Sequence, residues 1–309
     1  MNPIRPIFLA TAAILLVAPL LSAQVSESTV TKQLDKIGTL SAAQQPAAII
    51  KVATDIRSLR PGMDKVGFAD SVVHLVTKGD QGAEALQTVA DTLSLSLTET
   101  PVQAKKDLPP APYFDLARLV RYKDVKVTLN DPLFAKALQV LADYDADVQK
   151  ADFTLKDMKG KKVTLSELKG KIVVINFWAT ECKSCNAEMN ILDFIYSHYQ
   201  SQGLVVLSIT GEDAFKVASF MATWPYHPSI LIDPNNKVAT LFHVTPNFQA
   251  AGASVVRKGR QMQADNGGNV DGIPRTFVFD RAGKLVGVGI DQCTQKQFYQ
   301  MLIKTDLQP

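Results

Sequence analysis

The chain has 309 residues, 46% of them hydrophobic and 20% charged, with a formal net charge of +3. That length suits two domains and that composition is globular, while the charge is too small to argue for nucleic acid or an anionic membrane surface as a partner. Neither quantity names a function.

The chain opens with a basic start at Arg5, an apolar run from Ile7 to Leu21, and Leu21-Ser22-Ala23 ahead of a polar stretch. The run is shorter than the roughly 20 residues a spanning helix needs. Residues 1–23 therefore read as a cleaved signal peptide, with an uncleaved N-terminal anchor as the alternative. No cysteine follows the run to accept a lipid. On either reading the bulk of the protein is expected outside the cytoplasm, in the periplasm, where thiols can exchange with the disulfides of other proteins.

Residues 24–150 have helical patterning and read as a small all-α domain that packs on its neighbour or recognises a partner. Ile49, Val52, Ile56 and Leu59 keep one face until Pro61-Gly62 stops it, and Leu86, Val89, Leu93 and Leu97 keep another. Val72, Leu75 and Val76 mark a candidate helix between them. A proline-bearing linker from Thr100 to Pro112 precedes a short helix carrying Leu116, Leu119 and Val120. Asp131-Pro132 then supplies an N-cap and a first-turn proline for a helix with Phe134, Leu138 and Leu141. The stretch has no fixed-period repeat and no metal or nucleotide motif.

Residues 151–309 read differently. Phe153–Leu155 and Lys162–Leu165, separated by Lys159-Gly160, predict a short hairpin. Ile172 to Trp178 is a continuous apolar run, rich in β-branched and aromatic residues, of the length of a strand buried on both faces. It breaks at Ala179 and Thr180 into Cys182-Lys183-Ser184-Cys185, and helical spacing follows at Met189, Leu192, Ile195, Tyr196 and Tyr199. A C-x-x-C thus falls where a buried strand hands over to a helix. Unpaired N–H groups and the positive end of the helix dipole favour a thiolate there, and the thiolate is the species that attacks a disulfide. Cys182 is expected to be the exposed attacking sulfur and Cys185, a turn further on and pointing inward, the resolving one. Strands at Leu204–Ile209, Ser229–Ile232, Thr276–Phe279 and Leu285–Gly289 follow, with helices over Asp213–Ala222, Pro234–Phe242 and Thr294–Ile303. Together they predict an α/β fold, a central mixed sheet flanked by helices, with the mainly α-helical domain in front.

Three separated stretches, FTLKDMKGKKVTLSELKGK, NFWATECKSC and GIPRTFVFDRAGKLVGVGI, resemble the thioredoxin superfamily, and within it the extracytoplasmic TlpA-like and ResA-like thiol-disulfide oxidoreductases. They occur in the family's order and cover about half the chain. The resemblance implies a thioredoxin fold and a cis peptide bond between Ile273 and Pro274, beside the cysteines, where the backbone pairs with the substrate's chain. Ile273, Pro274 and Trp178 are therefore the candidate substrate-binding residues, with core packing the alternative for Trp178. Glu188, three residues after Cys185, matches an acidic residue implicated in proton handling, and its carboxylate could accept the resolving cysteine's proton. An exposed helix glutamate is the alternative. Asn176 stands where cytoplasmic thioredoxins carry a buried acid.

Four departures from the family pattern stand out. Glu181 replaces a Trp and opposes the helix dipole, with Lys183 pulling the other way. Ser184 replaces a Pro in the dipeptide that helps set the redox potential. Asn190 replaces a helix-kinking Pro, which predicts a straighter helix. An insertion at about 244–271, with Arg257, Lys258 and Arg260, opens ahead of Pro274 and either shapes specificity or is a solvated excursion.

The function expected is disulfide exchange with protein substrates in the reductase direction, recharged by a membrane or soluble thiol-disulfide partner, with no nucleic acid and no cofactor. A redox sensor or partner-binding protein is one alternative. A thiol peroxidase is another, although Ile175 and Ala179 occupy the positions where that class carries Pro and Thr. Zinc is disfavoured by the lack of a second ligand pair. Haem attachment is disfavoured by Asn186 in place of His after the second cysteine. Cys293 is expected to be a buried small hydrophobe, with a third redox thiol or intermolecular pairing as the alternatives. His74, His198, His227 and His243 show no ligand spacing.

Overall fold

The computed structural model describes residues 25–104, 108–244 and 272–307. Residues 1–23, read above as a signal peptide, and nearly all of the insertion lie outside the described residues. Six helices come first: α1 (Glu27–Ile37), α2 (Gln45–Arg57), α3 (Met63–Val76), α4 (Ala83–Glu99), α5 (Ala111–Tyr122) and α6 (Pro132–Lys150). Their ends follow local chemistry. Ser26 caps α1 by accepting from the Thr29 N–H, and Asp131 caps α6 by accepting from the Leu133 N–H at 2.7 Å, with Pro132 in the first turn where its missing N–H costs nothing. The apolar faces read from the sequence meet in one core that includes Ile49, Val52, Ile56, Val89, Leu93, Leu97, Leu116 and Leu119. Among the described residues no helix is long and apolar enough to cross a membrane.

The second half is a seven-stranded mixed sheet in the order β2-β1-β5-β4-β3-β6-β7. Its strands are β1 (Thr154–Asp157), β2 (Lys162–Thr164), β3 (Ile172–Phe177), β4 (Leu204–Thr210), β5 (Ser229–Ile232), β6 (Arg275–Phe279) and β7 (Leu285–Ile290). The helices among them are α7 (Lys183–Tyr199), α8 (Ala214–Met221), α9 (Lys237–Leu241) and α10 (Gln295–Leu302). β3 is central, parallel to β4 and antiparallel to β6, and every residue of it is buried, as its unbroken apolar run requires. Apolar clusters cover both faces of the sheet: one gathers Val173, Ile175, Phe177, Trp178 and Phe277, the other Val174, Leu192, Ile195 and Phe298. This is the thioredoxin arrangement, with the helical half in front.

The continuous helix expected over Pro234–Phe242 is shorter. Asn235 and Asn236 adopt left-handed backbone, so a 3-10 turn over Pro234–Asn236 precedes a five-residue α9. The buried Asp233 drives this, because its carboxylate accepts from the Val238 N–H at 3.0 Å and the Ala239 N–H at 2.8 Å, capping the helix from outside it. Asp233→Ala should cost about 2 kcal/mol by stranding two buried donors. Urea denaturation of the oxidised protein measures it, and an unchanged midpoint would contradict the capping role.

The two halves are in contact. α5 and α6 pack on β7, and Gln149 of α6 bridges the β6–β7 turn, donating to Gly283 O at 2.8 Å and accepting from the Leu285 N–H at 2.7 Å. The turn after α3 reaches the segment after β7: the Gly79 N–H donates to Gln292 O at 3.1 Å, Gln297 donates to Gly79 O at 3.3 Å, and Lys296 pairs with Asp80 at 2.9 Å.

Candidate active site

The C-x-x-C begins one turn beyond the end of β3. Cys182 is the N-cap of α7, and Cys182 and Cys185 are joined as a disulfide. The Cys185 N–H donates to Cys182 Sγ at 3.1 Å, and Ser184 Oγ lies 3.4 Å from the same sulfur. Retained on opening of the bond, these two donors and the helix dipole would favour the Cys182 thiolate. Cys182, expected to be exposed, is itself buried in the disulfide form because the loop and cis-proline side chains close over it. It is 7% exposed against 0% for Cys185, so the difference in access is small but in the expected direction.

The loop that leads into Cys182 is pinned from the end of β4. Glu212 accepts from the Thr180 N–H at 2.6 Å and from the Thr180 hydroxyl at 2.9 Å, and Lys216 of α8 bridges Glu212 at 2.8 Å and Glu181 at 2.9 Å. Glu181, which the sequence set against the helix dipole, is thus compensated by Lys216 rather than left facing the cysteines alone. Helix α7 continues unbroken past Asn190, whose side chain accepts from the Trp224 indole at 3.1 Å.

The strand pairing brings the second signature to the same end of the sheet. Phe177 pairs with Arg275 and Asn176 with Thr276, so Pro274 falls at the register position beside Trp178, where the C-x-x-C loop departs. The Ile273–Pro274 bond is cis, and Ile273 shares an apolar cluster with Trp178, Cys182 and Cys185. Trp178 itself is 1% exposed, its ring tilted against Phe220, so in the disulfide form it packs in the core and offers substrate almost no surface.

Glu188 is fully buried, which removes the exposed-glutamate alternative. Its Oε1 accepts from Asn176 Nδ2 at 3.0 Å and from Thr276 Oγ1 at 2.7 Å, and its Oε2 accepts from the Cys293 N–H at 2.6 Å. Burial pushes the carboxyl up to about 7, while the donors from Thr276 and Cys293 and the charge of Lys123 act in the opposite direction. The acid is therefore supplied by the helix, and Asn176 on the strand serves as its donor. Cys293 is buried beside Gly289, and burial together with Glu188 pushes its thiol up, which fits the buried small hydrophobe better than a third redox sulfur.

Sequence reasoning named Cys182, Cys185, Glu188 and Pro274 but not Thr276 or the Cys293 N–H. The antiparallel register of β6 against β3 is the one signal that points to Thr276. Folding also assembles a trio the histidine spacing did not suggest: Asp70 and His74, one turn apart on α3, and Asp115 on α5 bring ligand atoms within 4.8 Å of one another. Arg118 meets Asp115 Oδ1 at 3.1 Å and His74 lies 3.4 Å from Asp115 Oδ2, so Asp115 already has cationic or polar partners on both oxygens.

A buried strand that delivers a C-x-x-C to a helix start, next to a cis-proline strand, defines a thioredoxin-like redox domain. Residues 147–288 match the AhpC/TSA family, so the second half of this chain is similar to that family. Over 180 residues the chain is 28% identical to the thiol-disulfide oxidoreductase ResA of Bacillus subtilis, covering 57% of this chain and 84% of the relative. Over 96 residues it is 36% identical to the ResA of Geobacillus kaustophilus, covering 31% of this chain and 55% of that one. Among solved structures, StoA of Bacillus subtilis aligns at 16% identity with a TM-score of 0.37, covering 49% of this chain and 96% of that one. The exposed lipoprotein thioredoxin of Streptococcus pneumoniae aligns at 23% identity with a TM-score of 0.39, covering 50% and 99%.

Proposed function

We propose that this protein is an extracytoplasmic thiol-disulfide oxidoreductase that reduces disulfides in client proteins through Cys182 and Cys185. The observation that carries this reading is the pair itself: two bonded sulfurs at a helix N-terminus, unequal in access, with a buried carboxyl three residues further along the same helix. The similarity to ResA proteins supports the same chemistry, and the apolar leader-like pattern of residues 1–23 supports the location.

In the reaction, the Cys182 thiolate attacks one sulfur of a client disulfide and expels the other as a thiolate, leaving a mixed disulfide. Cys185 gives its proton to the ionised Glu188, directly or through water, and attacks Cys182 Sγ. The client leaves as a dithiol and the protein is left in its disulfide form. A donor dithiol, soluble or in the membrane, must then return two electrons and two protons.

The test is Cys185→Ser. With the resolving sulfur removed, the variant is expected to accumulate client joined to Cys182, seen as an adduct on non-reducing gels that dithiothreitol releases. If reduced Cys185→Ser protein forms no adduct with a disulfide-bonded peptide while the parent consumes that peptide, the assignment of roles is wrong.

A further inference from the structure

The helical half does more than cover the sheet. The segment Asp291-Gln292-Cys293, between β7 and α10, is gripped on one side by the end of α3 and holds Glu188 on the other. Thr77, itself buried, directs its hydroxyl to Asp291 Oδ2 across 214 residues of sequence, and the Gly79 N–H donates to Gln292 O at 3.1 Å. Cys293 then offers its N–H to Glu188 Oε2 at 2.6 Å. Asp291 has a φ of 54°, left-handed backbone that aspartate adopts more readily than most residues, and the Thr77 hydroxyl ties its side chain to the end of α3. From a second element, Lys123 at the end of α5 adds a positive charge that stabilises the Glu188 carboxylate.

We infer that the helical half is a positioning element of the redox site: Thr77 fixes the Asp291–Cys293 turn, which holds the Cys293 N–H on Glu188, and Lys123 supports the same carboxylate from the end of α5. The inference rests on the proposed exchange chemistry for its purpose, though not for its geometry. Thr77 and Lys123 touch no reacting sulfur, so they act through Glu188 alone. Besides its direct donors, Glu188 faces Lys123 from α5, Asp291 and Cys293 from the turn, and Tyr226 ahead of β5, with Arg275 on β6 acting on Cys293. Loosening the turn removes a donor from the carboxylate, which favours the protonated form. It also frees Asp291, whose negative charge favours the protonated form while it stays near; its moving away acts in the opposite direction, but more weakly than the loss of the donor.

The measurement is the ionisation midpoint of Glu188 in the full-length oxidised chain, followed by the carboxyl carbon resonance that disappears in Glu188→Gln. The parent is expected to titrate near 7. Thr77→Val and Lys123→Met are each expected to move that midpoint up by about half a pH unit, and Thr77→Ser, which keeps the hydroxyl, to restore it. Should Thr77→Val fail to fold, Lys123→Met alone decides, since Lys123 is only half-buried. Midpoints in Thr77→Val and Lys123→Met equal to the parent's would overturn the inference. Because the readout needs no turnover, a parent protein without exchange activity would sink the proposed function and leave this result standing.

Discussion

Glu188→Gln should make the oxidised protein about 3 kcal/mol more stable than the parent near pH 8, and no more stable near pH 4. The sign follows from the direction of the shift. An ordinary glutamate ionises near 4.5 and Glu188 in the folded chain near 7, so between those values the unfolded chain has lost a proton that the native protein keeps. Stability from this group is complete below about 4.5 and is lost as the pH rises through 7. At about 1.4 kcal/mol per unit, the difference amounts to the figure above. Glutamine suits the site when its oxygen meets the Cys293 N–H, its amide donates to the Thr276 hydroxyl, and Asn176, which donates to the same carboxylate oxygen, turns its amide over to present its unpartnered Oδ1. Urea denaturation of both proteins at the two pH values, with the disulfide intact, gives the difference. Parallel curves would mean that Glu188 is ionised in the native state throughout the range.

The same substitution should cost activity, because glutamine cannot take the Cys185 proton. A carboxyl that weakens the fold at neutral pH yet stands in the centre of the site is what the proposed proton transfer requires. Burial makes this possible: a solvated carboxylate is too weak a base near neutrality to accept a thiol proton, whereas one titrating near 7 is well matched.

The parts of the site carried by local sequence were legible. The β3 run, the C-x-x-C and the α7 spacing lie within one stretch of chain, and the apolar period alone gives the strand-to-helix handover. Pro274 was legible only through its resemblance, since its place beside Trp178 depends on pairing across 96 residues of chain. Glu188 shows why the rest was hidden. Its position on the helix was evident, but its burial depends on Asn176, Thr276 and Cys293, which three different segments bring together. The contact of Thr77 with Asp291 had no local signature, because a threonine at a helix end ordinarily bonds back to its own helix, as Thr77 also does with Val73 O. Even the Pro234–Phe242 helix was misjudged for this reason, as the cap that shortens it is a side chain outside the helix.

Cys182→Ser should lower disulfide exchange on the order of a thousandfold or more, a larger effect than any other substitution considered. A serine hydroxyl stays protonated and forms no bond to sulfur that a second thiol can resolve, so the only route left begins at Cys185. That sulfur is 0% exposed, beneath Cys182 in the apolar cluster formed with Trp178, Ala179 and Met189, and a folded client disulfide cannot reach it. A small disulfide should lose less than a protein does, because it needs a smaller local opening to reach Cys185. Rates with insulin and with oxidised glutathione, measured on parent and variant, separate the two: the roles are reversed if Cys182→Ser keeps its insulin rate while Cys185→Ser loses it. The 7% exposure of Cys182 carries one more consequence. A sulfur this little exposed is met more readily by an extended strand than by a packed domain, and clients unfolded around their disulfide should be reduced faster than the same clients in native form.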